Sequence, residues 1–208
     1  MSDKQRTRIK ICGITRLEDA LTASQLGVDA IGFVFYPKSP RYITPIEATR
    51  IIRELPPFIS AVGLFVNPDQ SDIDEILKQC PLDIIQLHGD ESPEFCMAQQ
   101  HRVMKAVPVN NKDDLKQAHA YPCPVLLDAK APQGVYGGTG KSFDWSLLEG
   151  FEHDYPLILA GGLNTQNIEA ALSVRQWFAV DVSSGVESSP GIKNETKLRD
   201  FIDHANTF

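Results

Sequence analysis

Eight short β-rich runs alternate with helical segments in units of roughly 20 to 30 residues, a rhythm that predicts a single-domain α/β fold, a (β/α)8 TIM barrel over residues 1–208. Most of these runs are nearly continuous in apolar residues, the mark of parallel strands covered by helices. A doubly wound open sheet is the competing architecture, but no G-x-G-x-x-G follows the first run, which weakens its dinucleotide-binding form.

Taken in order, the first strand is "RIKICGI". Thr15 and Glu18 then form a capping-box pattern that opens the helix "RLEDALTASQL", and Gly27 closes it. Strand two, "AIGFVF", leads to a second such pattern at Thr44 and Glu47, with Pro45 at the first helical position. Strands three and four are "SAVGLFV" and "DIIQLHG", and Ser92 before Pro93 reads as an N-cap. Strand five, "RVMKAVPV", precedes the helical "NNKDDLKQAHAY". After strand six, "VLLDA", comes the Gly-rich "APQGVYGGTGKSFDW", read as a substrate-covering loop; its "GVYGGTGK" has the wrong spacing for a nucleotide-binding P-loop. Strand seven is "LILAGGL", with Asn164 as N-cap for "TQNIEAALSV". Strand eight is "AVDVSSG", and the last helix carries an apolar stripe of Leu198, Phe201, Ile202 and Ala205.

Bulk properties narrow the function. Twenty Lys and Arg against 27 Asp and Glu leave a net charge of −7 without a basic run, so neither nucleic acid nor an anionic membrane is expected as a partner. "MSDKQRTRIK" lacks the apolar core of a signal peptide and no apolar run reaches spanning length, so a cytoplasmic protein is expected. Cys12, Cys80, Cys96 and Cys123 form no C-x-x-C pair, so reduced thiols are expected rather than a zinc site or a disulfide framework.

In such a barrel the active site lies at the carboxyl ends of the strands, which ranks polar residues by position alone. Cys12 ends strand one, Arg41 follows strand two, His88 ends strand four, Asp128 ends strand six, and Asp181, Ser183 and Ser184 end strand eight. Lys10 and Cys12 share the face opposite Ile9 and Ile11; with the isoleucines toward the helices, lysine and thiol point into the barrel. Whether Cys12 is packing or chemistry stays open on position alone, and whether Lys10 or burial dominates its thiol is not decided by sequence. Asp128 either faces the mouth or caps a loop amide, and His88 is either a site residue or a structural imidazole. The glycines of "AGGL" and "SSGVE" satisfy tight turns, but on adjacent strands seven and eight they also favour an anion, through Gly161, Gly162, Ser183, Ser184 and Gly185.

Seven segments in fixed order, "KICGIT", "GFVFYPKSPR", "QLHG", "LLDA", "GGTGKSFDW", "LAGGL" and "DVSSGVESSPGIK", together resemble the phosphoribosylanthranilate isomerase family of tryptophan biosynthesis. The resemblance implies an Amadori rearrangement of a small phosphorylated substrate, with no metal and no cofactor. It implies Cys12 as general base, Asp128 as general acid, Arg41 as a substrate-binding residue, and phosphate held by Gly161, Gly162, Ser183, Ser184 and Gly185. Asp181 and His88 are read as further substrate-binding residues at the same mouth. One departure stands out: Asn194 occupies the place after "PGIK" where the family's pattern has aspartate, and a helix N-cap accounts for either. Among alternatives, indole-glycerol-phosphate synthase-like or aldolase-like barrels use strand-end lysines, here Lys10, Lys105 or Lys130, and a non-catalytic phosphosugar-binding barrel would bind without turnover. A monomer or homodimer, not fused to another domain, is expected.

Overall fold

A computed structural model describes residues 6–130 and 142–207. Eight parallel strands close on themselves: β1 (Arg8–Cys12), β2 (Ala30–Val34), β3 (Ser60–Phe65), β4 (Ile84–Leu87), β5 (Arg102–Val109), β6 (Val125–Ala129), β7 (Leu157–Leu159) and β8 (Ala179–Val182). Closure comes from β8 pairing with β1, in the register Arg8↔Ala179 to Ile11↔Val182.

Side-chain alternation sorts each strand into two layers. Ile9, Ile11, Ile31, Phe33, Val107, Leu127 and Val180 pack outward against the helices in one buried cluster, while Val62, Met104, Ala106, Leu126, Ile158 and Ala179 fill the barrel interior. Cys12 belongs to a third small cluster with Val34 and Leu64. Lys10 and Cys12 therefore point inward, as their phase with the isoleucines requires.

The helices are α1 (Leu17–Gln25), α2 (Pro45–Glu54), α3 (Gln70–Gln79), α4 (Pro93–Met97), α5 (Lys112–Ala118), α6 (Ile168–Val174) and α7 (Glu195–Thr207). Thr44 and Glu47 form the expected capping box on α2, Ser92 accepts the Phe95 N–H of α4, and Asn194 accepts the Lys197 N–H at the start of α7. Three expectations are corrected. Thr15 does not cap α1: its hydroxyl donates to Gly191 O at 2.6 Å, and the cap position is Arg16, whose guanidinium pairs with Asp19. Asn164 accepts the Gln166 N–H in a turn, and α6 starts later, after Asn167. The sixth strand is followed, among the described residues, by a single 3-10 turn (Trp145–Leu148) in place of an α-helix. Most of the Gly-rich segment, "GVYGGTGK" included, lies outside the described residues.

Beyond β8 the chain makes a 3-10 turn (Ser184–Val186) and an antiparallel ribbon of β9 (Glu187–Ser189) and β10 (Ile192–Lys193) that the sequence reading did not anticipate. The ribbon returns the chain to the barrel mouth.

Candidate active site

Cys12 is the last residue of β1, and the glycine after it decides what can approach. Gly13 has φ +75°, and a side chain there would collide with Arg41 and come within 3.0 Å of Ser183 Oγ. Gly32, beside Cys12 on β2, works the same way: an added Cβ would lie 3.0 Å from Cys12 Sγ and 3.1 Å from Lys10 Cε. The two glycines open the space in which the thiol, the Lys10 chain and Arg41 meet.

Lys10 Nζ donates to Asp181 Oδ1 at 2.9 Å, with both side chains buried, and the Cys12 thiol lies beside the Lys10 chain. Burial pushes the Cys12 thiol up from its ordinary value; Lys10 and Lys193 pull against it and Asp181 adds to it. This settles the sign that sequence leaves open: desolvation wins over the neighbouring lysine. Burial alone would lower the Lys10 ammonium, but pairing with Asp181 holds it up, so Lys10 is charged.

Asp128 is buried at the end of β6. Its Oδ1 accepts the Ala129 N–H at 2.8 Å, the amide-capping role expected as the alternative, while Oδ2 receives His88 Nε2 at 3.0 Å. Gln86 Nε2 stands 2.9 Å from His88 Nδ1; with the amide donating there, the ring proton sits on Nε2 and points at Asp128. Capping and the mouth-facing role thus coexist in one carboxylate. Gly161, with φ +82°, carries no side chain that would collide with Ala129 and crowd Asp128 Oδ1.

Arg41 lies at the mouth with its guanidinium fork taken: Nε donates to Glu187 Oε1 at 2.9 Å and Nη2 to Oε2 at 2.7 Å. Lys193 Nζ donates to the same Glu187 Oε1 at 2.8 Å, to Cys12 O at 2.6 Å and to Ser183 O at 3.3 Å. Although burial opposes it, these two cations hold the Glu187 carboxyl below the usual carboxylate range. A single buried carboxylate therefore ties the loop after β2, the end of β1 and the turn after β8 into one unit.

The glycine turns meet each other. Gly161 and Gly162 have φ +82° and +65°, and two side-chain amides pin the Gly162 carbonyl, Asn167 Nδ2 at 2.9 Å and Asn164 Nδ2 at 3.2 Å. A side chain at Gly185 would collide with Leu163 O, so glycine there lets the turn after β8 close onto the turn after β7. Ser183 Oγ is buried with no hydrogen-bond partner, and it lies at the Gly13 gap beside Arg41.

The residues ranked by strand-end position, Cys12, Arg41, His88, Asp128, Asp181 and the five phosphate candidates Gly161, Gly162, Ser183, Ser184 and Gly185, lie at or just beyond the carboxyl ends of their strands. Strand-end position did not single out Gln86, Glu187 and Lys193, which contact His88, Arg41 and Cys12. Gln86 shares its face with His88 by period two, which was a usable signal; Glu187 and Lys193 become neighbours only through the ribbon. The strand-adjacent lysines offer no free amine: Lys10 is paired, Lys105 is saturated by Gly89 O, Ala106 O and Glu91, and Lys130 pairs with Asp114. Among the described residues no group of three His, Cys, Asp or Glu is placed to hold a metal ion, and no helix is long and apolar enough to cross a membrane.

A sequence model described as N-(5'phosphoribosyl)anthranilate (PRA) isomerase matches residues 9–204. An N-(5'-phosphoribosyl)anthranilate isomerase of Geobacter sulfurreducens is 49% identical over 199 residues, covering 95% of this chain and 98% of that protein. The crystal structure of phosphoribosyl anthranilate isomerase from Thermotoga maritima superposes with a TM-score of 0.89 at 48% identity, covering 97% of this chain and all of that one. A second solved structure, at 45% identity and a TM-score of 0.86 over 97% and 100% of the two chains, holds reduced 1-(o-carboxyphenylamino)-1-deoxyribulose 5-phosphate.

Proposed function

Because this chain belongs to the N-(5'-phosphoribosyl)anthranilate isomerase family, we propose that it works with Asp128 as general acid and Cys12 as general base. The reaction is the Amadori rearrangement of N-(5'-phosphoribosyl)anthranilate to 1-(2-carboxyphenylamino)-1-deoxyribulose 5-phosphate, a step of tryptophan biosynthesis. Ring opening needs a proton on the ribose oxygen; enolamine formation needs one removed from C2′; tautomerisation then gives the ketone.

Asp128 delivers the first proton, and the two donors at its oxygens, Ala129 N–H and His88 Nε2–H, fix the carboxyl group at the mouth; to act as the acid Asp128 takes up a proton on Oδ2, with His88 accepting there in its other tautomer. Cys12 removes the second from the other side of the barrel. The turns at Gly161–Gly162 and Ser183–Gly185 hold the phosphate, with the unpartnered Ser183 Oγ as a donor to it. Arg41 meets the anthranilate carboxylate with the N–H groups that Glu187 leaves over, so it binds end-on rather than through its fork. Asp181 serves Cys12 from beneath. No metal or cofactor enters these steps. The protein acts in the cytoplasm as a single-domain monomer or homodimer.

The observation that carries this reading is the facing of two buried proton carriers, Cys12 on β1 and Asp128 on β6, across one closed mouth. The test is loss of substrate fluorescence in the presence of EDTA, with borohydride added in a parallel run. Undiminished turnover in EDTA and no borohydride-trapped lysine adduct are expected. A trapped adduct or an EDTA-abolished activity would contradict the assignment.

A further inference from the structure

We propose that Cys12, Lys10 and Asp181 share one buried negative charge: the Cys12 thiol passes its proton to Asp181 through Lys10, so that the charge sits on sulfur when the base is needed. The inference rests on the reading of Cys12 as base and supplies what that reading lacks, an acceptor for a thiol proton deep in the barrel.

Placement makes the trio. Lys10 and Asp181 are register partners on β1 and β8, 2.9 Å apart through Nζ and Oδ1, with side chains only 5% and 7% exposed. Cys12 Sγ and Lys10 Cε flank the same small gap, each within about 3 Å of the point where a Gly32 Cβ would stand. The ammonium thus pairs with one acid while its chain lies beside the other, and all three side chains are buried. A buried cation compensates one anion; a second would add a net charge to a low-dielectric interior.

Charge directions agree with this arithmetic. Burial pushes both Cys12 and Asp181 up, while Lys10 is held as ammonium. The groups facing the trio are Lys193 of β10, whose Nζ binds Cys12 O, together with Asp128 and His88 across the mouth.

The transfer balances. Lys10 Nζ gives one proton to Asp181 Oδ1 and takes the thiol proton in its place. One S–H and one N–H bond break, one O–H and one N–H bond form, the lysine ends as ammonium, and the net charge of the trio is unchanged. No proton has to reach solvent, which makes the thiolate accessible without an external base. Asp181 and Lys10 act through Cys12 and are positioning residues for its proton.

The test follows the Cys12 thiolate by ultraviolet absorbance in substrate-free enzyme, with Cys12→Ala subtracted for the other three cysteines. In Asp181→Asn the charge has only sulfur to occupy, so the thiolate should form at a pH about one unit or more below wild type. Titration at or above the wild-type pH overturns the proposal. Should Asp181→Asn not fold with Lys10 unpaired, Lys10→Met/Asp181→Asn removes both charges together. That variant should keep KM within about threefold and lose about 10²-fold in kcat; kcat within about threefold of wild type overturns the proposal. These readouts are separate from the base assignment itself: if the thiolate shifts as expected while Cys12→Ser stays active, charge sharing stands and Cys12 as base falls.

Discussion

At the scale of single residues, Glu187 is the least conspicuous in sequence and among the most connected in space. Its carboxylate takes the fork of the partly buried Arg41 and one donor of the buried Lys193. Glu187→Gln leaves two cations close together with weaker partners, and Arg41 loses its bidentate guide. KM should rise by about tenfold with kcat changed far less, since binding geometry is disturbed and the proton carriers are not. Equal kinetics in variant and wild type would separate Glu187 from the site. The same group predicts a pH dependence. Its folded pKa is depressed, so its contribution is present above the ordinary glutamate value of about 4.3 and is lost as pH falls through the lower folded value. In urea unfolding, the stability gap between wild type and Glu187→Gln should therefore shrink as pH drops below about 4; a constant gap would contradict the depressed pKa. Cys12, Asp128 and His88 were legible because strand ends and period two need only local sequence. Glu187 stands in the segment "SSGVE", but its partners come from elements far apart in the chain.

At the scale of elements, continuous apolar runs located all eight strands, because a parallel strand buried on both faces writes its burial directly into sequence. Helix starts were less faithful. The Thr44 box forms as written, whereas the same pattern at Thr15 fails because Gly191 O competes for the hydroxyl and Arg16 with Asp19 organises the turn instead. Capping patterns are local, and a tertiary acceptor outbids them. The ribbon of β9 and β10, three and two residues long, is too short to carry a strand signature in the sequence. The stripe on α7 was legible, and Phe201 at its centre is fully buried. Phe201→Ala should cost about 3–5 kcal/mol in denaturant unfolding through lost burial and an unfilled cavity. A loss below about 1 kcal/mol would mean that α7 does not seal the outer layer as described.

At the scale of the whole molecule, barrel closure is the property that periodicity does not encode, and the site depends on it. Pairing of β8 with β1 sets Asp181 against Lys10, and the circular order places the β1 and β8 residues across the mouth from His88 and Asp128. An open sheet would scatter these groups along an edge. The central claim is that two separated proton carriers serve one isomerisation. The measurement that tests it most directly is steady-state turnover of N-(5'-phosphoribosyl)anthranilate by Cys12→Ser and Asp128→Asn, alongside product affinity for each folded variant. Each substitution should lower kcat by about 10² to 10⁴-fold or more, because a positioned acid or base contributes that much, while product affinity changes far less. Near wild-type kcat in folded Cys12→Ser would make Cys12 a packing residue and contradict the account, and near wild-type kcat in Asp128→Asn would do the same for the acid.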